Sequence, residues 1–509
     1  MRYGFVIDQD RCIGCHACTV ACKEEHGVPV GVFRTWVKYI EKGQFPDTSR
    51  HFAVLRCNHC DNAPCVEICP TTALFKRSDG IVDFDSSRCI GCKSCMQACP
   101  YDALYIDPNS NTAAKCNYCA HRIEMELEPA CVIVCPTQAI IAGDLDDPAS
   151  RIARTITTQK VTARKPHKGT EPKLFYVGVD GDLLQPTMLS TQPAYLWAER
   201  RPDQLSNAAR TPARNDIPGA AREVYDIAHP MPWGAKAAAY LWTKSIAAGV
   251  LIVAAIVSFL FGRADATTAL ASPIIALGFT GLTSAILVAD LKRPDRFYFL
   301  LTKPNFSSWL VWGAYILMLY SGAAMAWLGC VWFMGYVPGF VGAIATALGL
   351  ATAGYTAFLF AQAKGRELWQ SPLFLWHLIA QAVIAGSAIL LIIASVASAR
   401  PIVSDLAWLL IVSLAIGFAM VLTELYLAPM NEDLRRAADL ISKGPLSGRF
   451  WMGCGVLGVL IPIILMSIGF NAADPAATAA FVVAAFAALA GLWKFEDIWI
   501  KAGQAVPLS

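Results

Sequence analysis

The chain has 509 residues, a formal net charge of +3 and a positive mean hydropathy. So small a net charge argues against a partner held by bulk electrostatics, and we expect no nucleic-acid partner. The averages conceal two unlike halves. The first 150 residues are cysteine-rich and charged, a polar segment follows, and long apolar runs begin near Trp233.

Cysteines mark the N-terminal half, whose first 135 residues contain sixteen of the eighteen in the chain. Only Cys330 and Cys454 lie elsewhere. The sixteen form four groups: Cys12, Cys15, Cys18 and Cys22; Cys57, Cys60, Cys65 and Cys69; Cys89, Cys92, Cys95 and Cys99; and Cys116, Cys119, Cys131 and Cys135. This grouping predicts four cubane iron–sulfur clusters.

The spacing inside the groups supports that prediction. Two-cluster ferredoxins use a C-x2-C-x2-C-x3-C-P run whose fourth cysteine ligates the other cluster. The first and third groups copy the cysteine spacing of the run, although Lys23 rather than proline follows Cys22, and the other two groups lengthen its middle gap to four and eleven residues. The segments VIDQDRCIGCHACTVAC and VDFDSSRCIGCKSCMQACP are near copies. We therefore expect a duplicated, ferredoxin-like α+β domain.

Structural zinc and disulfides are the alternatives for these cysteines. Zinc sites use paired C-x2-C knuckles separated by longer spacers, a weaker match to three close cysteines and a distant fourth. The chain opens MRYGFVIDQD, which lacks the ordered segments of an export signal. We therefore expect no passage through an oxidising compartment, where disulfides would form.

The polar segment at residues 151–232 lacks helical periodicity and is rich in Pro, Asn, Asp and Gly. Two interpretations stay open: a solvated linker, or an ordered strap that docks the cluster domain on its neighbours. The second interpretation places a short strand in KLFYVGV.

The remainder of the chain, residues 233–509, consists of long apolar runs. About 20 apolar residues span the hydrocarbon of a bilayer. Buried core helices of a large soluble protein are the alternative, but so many runs with almost no internal charge favour an all-α membrane bundle. The eight predicted helices are 237–261, 268–290, 308–333, 338–362, 373–397, 404–427, 450–470 and 476–496.

Loop charge predicts how this bundle lies in a bacterial inner membrane, because Lys and Arg are enriched in cytoplasmic loops. The loops after the second, fourth and sixth predicted helices carry ten basic residues. The other four carry only Arg263 and Arg400. We therefore expect both termini, and the cysteine-rich domain at residues 1–150, on the cytoplasmic side.

Both halves resemble known families. The cysteine-rich half resembles the four-cluster subunit of complex iron–sulfur molybdoenzymes of the dimethyl sulfoxide reductase group. The second half resembles the polysulfide-reductase-type (NrfD-like) membrane subunit, most specifically in DLKRPDRFYFLLTKPNFSSWLVWG, from Asp290 to Gly313. In that family the halves are commonly separate polypeptides, and in polysulfide reductase the clusters lie outside the cytoplasm. Here the halves are fused, and loop charge predicts the cytoplasmic side.

The resemblance also implies which cysteines share a cluster, since adjacent duplicated units exchange fourth ligands. No group lacks a cysteine, so all four clusters would be [4Fe-4S] clusters. The implied sets are Cys12, Cys15, Cys18 and Cys135; Cys116, Cys119, Cys131 and Cys22; Cys57, Cys60, Cys65 and Cys99; and Cys89, Cys92, Cys95 and Cys69.

An electron-carrying domain fused to an apolar bundle needs a lipid-soluble donor or acceptor, and a quinone such as ubiquinone or menaquinone is the expected one. Haem is the rival. A bis-histidine haem needs two axial histidines, and only His377 of the eight histidines lies in a predicted span. We therefore expect no haem and a direct exchange between a cluster and the quinone.

Quinone chemistry also needs protons, so ionisable groups inside the bundle are candidates for its site. His377 and Glu424 are the main candidates, followed by Lys244 and Asp290. Snorkelling of Lys244 and interface capping by Asp290 are the alternative explanations. The polar and aromatic residues expected beside them or at the mouth of the site are Tyr240, Gln362, Gln381, Asn305, Ser307, Ser308 and Trp309.

These features lead to one principal hypothesis. The chain would be the electron-transfer and membrane-anchor subunit of a membrane-bound molybdenum oxidoreductase, with the substrate site on a molybdopterin-type catalytic partner. The alternative is a subunit of a proton-translocating, quinol-oxidising complex similar to alternative complex III, which favours a continuous polar path across the bundle. A transporter with a redox sensor is a third possibility, for which four clusters are excessive.

Overall fold

The structure is a computed structural model that describes residues 1–179, 181–191, 221–263, 265–397, 400–427 and 431–509, together with positions 205 and 208. Small sheets and short helices form the N-terminal part, and long helices form the rest. This architecture confirms the predicted α+β domain followed by an all-α helical bundle. The interpretation of residues 192–204 and 209–220 as linker or strap lies outside the described residues.

Two four-stranded sheets and two hairpins build the N-terminal part that the structure describes. The first sheet has the order β8-β1-β10-β9, with β1 parallel to β10, and the second has the order β11-β12-β2-β3. The hairpins are β4-β5 and β6-β7. The strands are β1 Tyr3–Asp8, β2 Thr35–Gln44, β3 Asp47–Arg56, β4 Leu74–Lys76, β5 Val82–Phe84, β6 Leu104–Ile106, β7 Ala113–Lys115, β8 Ile140–Asp144, β9 Val161–Ala163, β10 Leu174–Val177, β11 Ser190–Thr191 and β12 Arg222–Tyr225.

Strand β10 is the strand expected in KLFYVGV. It pairs along its whole length with β1, from Phe5 opposite Leu174 to Asp8 opposite Val177. Both strands are central in their sheet, and Phe5, Val6 and Ile7 are almost completely buried. The polar segment thus contributes a central strand of the cluster domain. The division of the chain into residues 1–150, 151–232 and 233–509 stays a prediction.

Eight helices among the described residues are long and apolar enough to cross a membrane, which confirms the predicted number. The last one continues nine residues beyond its predicted end, because Trp499 and Gln504 are buried rather than exposed to water. From first to eighth, these membrane helices are Ala235–Leu260, Ala266–Asp290, Trp309–Met334, Gly339–Ala361, Phe374–Val396, Ile402–Tyr426, Arg449–Gly469 and Ala476–Ala505. The shorter helices are Ala17–His26, Pro64–Glu67, Ser94–Ala98, Ala120–Ile123, Ala130–Ile133, Arg151–Thr158, Gly181–Leu184, Phe299–Thr302 and Glu432–Ser442.

Glycines bring two pairs of membrane helices into backbone contact. A Cβ atom added at Gly249 of the first helix would lie 1.8 Å from the carbonyl oxygen of Ala382 in the fifth. One added at Gly491 of the eighth helix would lie 2.1 Å from the Cα of Gly458 in the seventh. Small residues permit such close packing in membranes, where apolar burial alone does not hold helices together.

Candidate iron–sulfur ligands and membrane cavities

The structure brings cysteines from different groups together. A small cavity is lined by Cys69, Cys89, Cys92 and Cys95, which is one of the four implied ligand sets. Each of the other three implied sets has an electrostatic interaction between its fourth cysteine and another member. These pairs are Cys12 with Cys135, Cys22 with Cys116, and Cys65 with Cys99.

The four cysteines around the small cavity offer the soft ligands that an iron–sulfur cluster needs. Zinc requires four ligands around one ion, whereas the four thiolates of a cubane are spread over the corners of a larger group. The residues therefore fit [4Fe-4S] clusters.

Donors surround the sulfur atoms, and such hydrogen bonds help to set cluster potentials. Backbone amides of Gly91 and Ala113 point at the Cys89 Sγ, at 3.4 and 3.3 Å. The buried Arg56 guanidinium donates to the Cys131 Sγ at 3.0 Å. The sequence pattern did not indicate Arg56, since a single basic residue at the end of β3 carries no local signal of its burial.

An apolar cavity of about 310 Å³, here called the cluster-side cavity, lies where the cysteine-rich domain meets the first four membrane helices. Cys92 forms part of its wall, and so do the predicted residues Tyr240 and Asp290. Trp233 also lines it, and its indole donates to the Cys92 carbonyl oxygen at 3.3 Å. A predicted cluster ligand thus borders a cavity in the membrane half.

Lys244 and Asp290 both have protein partners. The Lys244 ammonium is completely buried and donates to the Thr356 hydroxyl at 2.7 Å and to the Ala353 carbonyl at 2.9 Å. It therefore does not snorkel. The Asp290 carboxylate lies 2.8 Å from the Lys93 ammonium, next to Cys92 in the chain.

His377 and Glu424 lie at a second, smaller place. The His377 Nδ1 is 3.0 Å from the Glu424 Oε2, and the other oxygen of Glu424 accepts from Ser371 at 2.5 Å. His377 and Gln381 line a cavity of about 60 Å³ between the fifth, sixth, seventh and eighth helices, here called the inner cavity. The residues expected in one quinone site are therefore divided between two cavities.

The remaining predicted residues lie in or beside the contact with the cysteine-rich domain, and none of them lines the cluster-side cavity. The Asn305 amide donates to the Cys69 carbonyl oxygen, and the Ser308 hydroxyl donates to that of Ile68, each at 2.7 Å. Gln362 bonds the backbone beside Ser308 and the Glu67 side chain. Ser307 and Trp309 support this docking contact indirectly, because their backbone amides donate to the side chains of Asn305 and Gln362.

Comparison with known families accounts for both halves. A family model described as polysulphide reductase, NrfD, matches residues 223–507, more than half of the chain. The protein belongs to the NrfD polysulphide reductase family. A 4Fe-4S dicluster domain matches residues 49–145, and a 4Fe-4S binding domain matches residues 3–24. The resemblance of both halves is thereby confirmed.

Relatives of the iron–sulfur part are components of reductases. The chain is 46% identical to a tetrathionate reductase subunit of Salmonella typhimurium, over 39% of this chain and 80% of the relative. It is 42% identical to a polysulfide reductase subunit of Wolinella succinogenes, over 35% of this chain and 94% of the relative. It is 35% identical to the arsenate respiratory reductase iron-sulfur subunit ArrB of Shewanella sp., over 35% of this chain and 96% of the relative. An electron-transfer iron–sulfur subunit is thus fused to an NrfD subunit in one multi-pass membrane protein.

Glu496 is a polar residue of the NrfD domain that the sequence did not single out. It is only 1% exposed and interacts electrostatically with Lys244. The predicted eighth helix ends at residue 496, within a stretch that carries four charged residues from Lys494 to Lys501. Because the eighth helix continues instead, Glu496 lies inside the NrfD domain.

Proposed function

We propose that this chain is the electron-transfer and membrane-anchor subunit of a quinone-linked oxidoreductase, with the substrate site on a molybdopterin-type catalytic partner. The observation that carries the proposal is the contact between Cys92 and the apolar cluster-side cavity. Pockets of about 300 Å³ or more with few polar groups are suited to small apolar ligands. When bound, [4Fe-4S] clusters at the sixteen cysteines supply one-electron carriers.

The chain's own residues would bind and orient the quinone ring. Tyr240 and Asp290 place a hydroxyl and a carboxylate in a mostly apolar wall, where they can bond quinone oxygens. Trp233 stacks on Phe360 and Trp369, with ring centroids 5.6 and 5.5 Å apart, and so fixes the wall nearest Cys92. A quinone bound there would be close to the cysteine-rich domain and shielded from water.

The proposed catalytic partner needs a surface at the other end of the cysteine series. Cys15 is exposed, unlike most of the other ligands. Ile13, Val20 and Ile133 around it are 57%, 64% and 58% exposed, and the helices that carry Val20 and Ile133 pack together. An exposed apolar patch of this kind is typical of a protein interface. The relatives are named as parts of reductases, which supports a partner that docks here.

We place the iron–sulfur domain on the cytoplasmic side of a bacterial inner membrane. Ten basic residues lie in one set of loops, and three of them, Arg293, Arg296 and Arg366, bind the iron–sulfur domain. The remaining seven still outnumber the two in the opposite loops. A membrane-impermeant maleimide should then label Lys443→Cys only in inverted vesicles and Asn471→Cys only in intact cells. The reverse pattern would refute this orientation.

The quinone cavity is tested by filling it. Leu317 lines the cluster-side cavity and is 6% exposed, whereas Leu319 on the same helix is 61% exposed. We expect Leu317→Trp to weaken binding of a quinone analogue at least tenfold, about 1.4 kcal/mol, and Leu319→Trp to leave it unchanged. Iron content should stay the same in both variants. Unchanged affinity in a correctly assembled Leu317→Trp protein would contradict the proposal.

A further inference from the structure

Buried polar groups continue from the cluster-side cavity into the helical bundle. The Tyr240 hydroxyl in the cavity wall lies 2.7 Å from the Tyr355 hydroxyl and 2.6 Å from that of Thr356. Thr356 in turn accepts a hydrogen bond from the Lys244 ammonium at 2.7 Å. Each of these groups has less than a tenth of its surface exposed. A hydrogen-bonded series therefore connects the cavity wall to a buried cation.

Glu496 extends the series toward the inner cavity. The first and eighth membrane helices pack together, and Glu496 interacts electrostatically with both Lys244 and Cys454. Cys454 and Phe495, the residue before Glu496, both line the inner cavity. Among the described residues, the Glu496 Oε1 has no hydrogen-bond partner. A buried acid and a buried cation that do not form a close pair cost folding free energy in an apolar bundle. Such groups are usually retained for function.

The inner cavity has the size and polarity to hold water. Its volume of about 60 Å³ exceeds the space that one water molecule needs. Gln381 lines it, and both polar atoms of this side chain lack a partner among the described residues. Polar atoms of this kind are where buried water is normally bound. Water in this cavity would bond His377 and extend the series toward Glu496, whose neighbour Phe495 lines the cavity.

The final section of the series reaches the protein surface. His377 lines the inner cavity and lies 3.0 Å from Glu424, which accepts a hydrogen bond from Ser371. Ser371 is half-buried, and the next residue, Pro372, is exposed. Ser371 lies in the same connection as Arg366, which bonds Gln97 of the iron–sulfur domain, so this exit is on that side of the bundle.

We propose that these groups form a proton path between the quinone in the cluster-side cavity and water at Ser371. The proposal rests on the proposed quinone site and adds a role for residues that do not line it. Reduction of a quinone adds two electrons, from the iron–sulfur domain, and two protons, one on each oxygen. Protons would enter at Glu424, cross the inner cavity, and reach Tyr240 through Glu496, Lys244 and Thr356. Asp290, held by Lys93, would orient the ring rather than carry protons.

The test uses the purified, cluster-loaded protein, reduced with a stoichiometric reductant and mixed with a soluble quinone. Cluster re-oxidation is followed by visible absorption, proton uptake by a pH-indicator dye, and analogue affinity by equilibrium binding. We expect Glu496→Gln and Glu424→Gln to slow both re-oxidation and proton uptake at least tenfold. Analogue affinity should stay within twofold of that of the unmodified protein. Glu432→Gln, which removes an exposed acid on the same side, is the matched control.

The outcomes separate the path from the quinone site. Unchanged rates in both variants would overturn the path and leave the quinone site standing. Loss of analogue binding together with the rates would indicate a structural role for Glu496 and would also overturn the path. Rescue of the rate by Glu496→Asp, which retains a carboxylate, would support proton transfer. If the unmodified protein neither binds the analogue nor transfers electrons to the quinone, the proposed function fails, and the path fails with it.

Discussion

The iron–sulfur domain and the NrfD domain assemble their functional groups in opposite ways. In the first, the ligands of a cluster come from short runs such as Cys89, Cys92 and Cys95, completed by one cysteine of the duplicated unit. In the second, Lys244 of the first membrane helix interacts electrostatically with Glu496 of the eighth. A cluster needs several soft ligands within a small volume, so the spacing of cysteines along the chain indicates a cluster site. Proton and quinone chemistry needs only single polar groups, which helix packing brings together.

The two domains also depend on different packing. The iron–sulfur domain has short strands and helices around its thiols, and cluster binding would contribute to its folding. The bundle depends on close helix contacts at positions such as Gly249 and Gly491. We therefore expect metal loss to affect mainly the first domain and a glycine substitution to affect mainly the second. Each of the following experiments tests one side of this contrast or the junction between the two.

The largest effect should come from Cys92, which belongs to both regions. Replacing it with alanine removes a predicted cluster ligand that also lines the cluster-side cavity. We expect iron to fall from about sixteen to about twelve atoms per chain. Electron transfer to a quinone should fall to background, because the cluster nearest to the cavity is lost. Iron analysis and paramagnetic resonance on anaerobic protein measure the first effect. The control is Cys330→Ala, a cysteine outside the four groups, and sixteen iron atoms in the Cys92→Ala protein would refute the assignment.

The next largest effect should come from Gly249. A valine there would force its Cβ against the Ala382 carbonyl oxygen, so the first and fifth helices must separate. We expect a loss of about 3 kcal/mol in stability, at the upper end for overpacked interiors. Thermal unfolding in detergent measures it. Gly322→Val is the matched control, because a Cβ at Gly322 meets no atom within 4 Å. Equal midpoints for the two variants would show that the helix contact is not tight.

The sequence predicted most of the fold because its signals are local. Cysteine spacing indicated the iron–sulfur domain, and apolar runs indicated eight membrane helices. The end of the eighth helix was missed, because charge near Glu496 normally marks the water boundary. That rule fails where a second domain covers the helix end, as shown by Gln504, whose side-chain oxygen accepts a hydrogen bond from the Gln97 amide of the iron–sulfur domain at 2.6 Å.

The candidate site was predicted only in part, for the same reason. Depth in the bundle can be estimated from sequence, so Tyr240, Lys244 and His377 were all recognised as buried polar groups. Their positions in the plane of the membrane depend on which helices pack together, and the sequence pattern does not indicate this packing. The structure therefore separates Tyr240, in the cluster-side cavity, from His377, in the inner cavity, although the sequence placed them in one pocket. Cys92 was expected to bind a cluster, but its contact with the cavity follows only from domain docking.

A pH-dependent contribution to stability should come from His229, at the junction just before the first membrane helix. Burial disfavours the charged imidazole, but Asp226 and Asp102, at 3.0 and 2.5 Å, outweigh it and raise the pKa of His229 to about 9. Its ordinary pKa is 6.5. A raised pKa stabilises the folded protein fully below about pH 6.5, and the stabilisation disappears as the pH rises through 9. The shift corresponds to roughly 3 kcal/mol at most.

Thermal midpoints of the unmodified protein and of His229→Gln measure this contribution. The difference between the two should be largest at pH 6 and should shrink steadily up to pH 10. His167→Gln, at a histidine that forms none of these ion pairs, is the control and should show no such trend. A difference that stays constant over this range would contradict the proposed charge on His229.

The smallest expected effect distinguishes docking from quinone binding at Asn305. The sequence placed Asn305 at the mouth of the quinone site, whereas the structure shows its amide donating to the Cys69 carbonyl oxygen. Asn305→Ala removes a partly buried hydrogen bond between the two domains, which is worth about 1 kcal/mol. We expect a slightly lower thermal midpoint and unchanged affinity for a quinone analogue. Asn471→Ala, at an exposed asparagine on the opposite side of the bundle, should change neither quantity. Weaker analogue binding at an unchanged midpoint would instead place Asn305 in the quinone site. Asn305 does not line the cluster-side cavity, so loss of a docking contact alone would lower the thermal midpoint first.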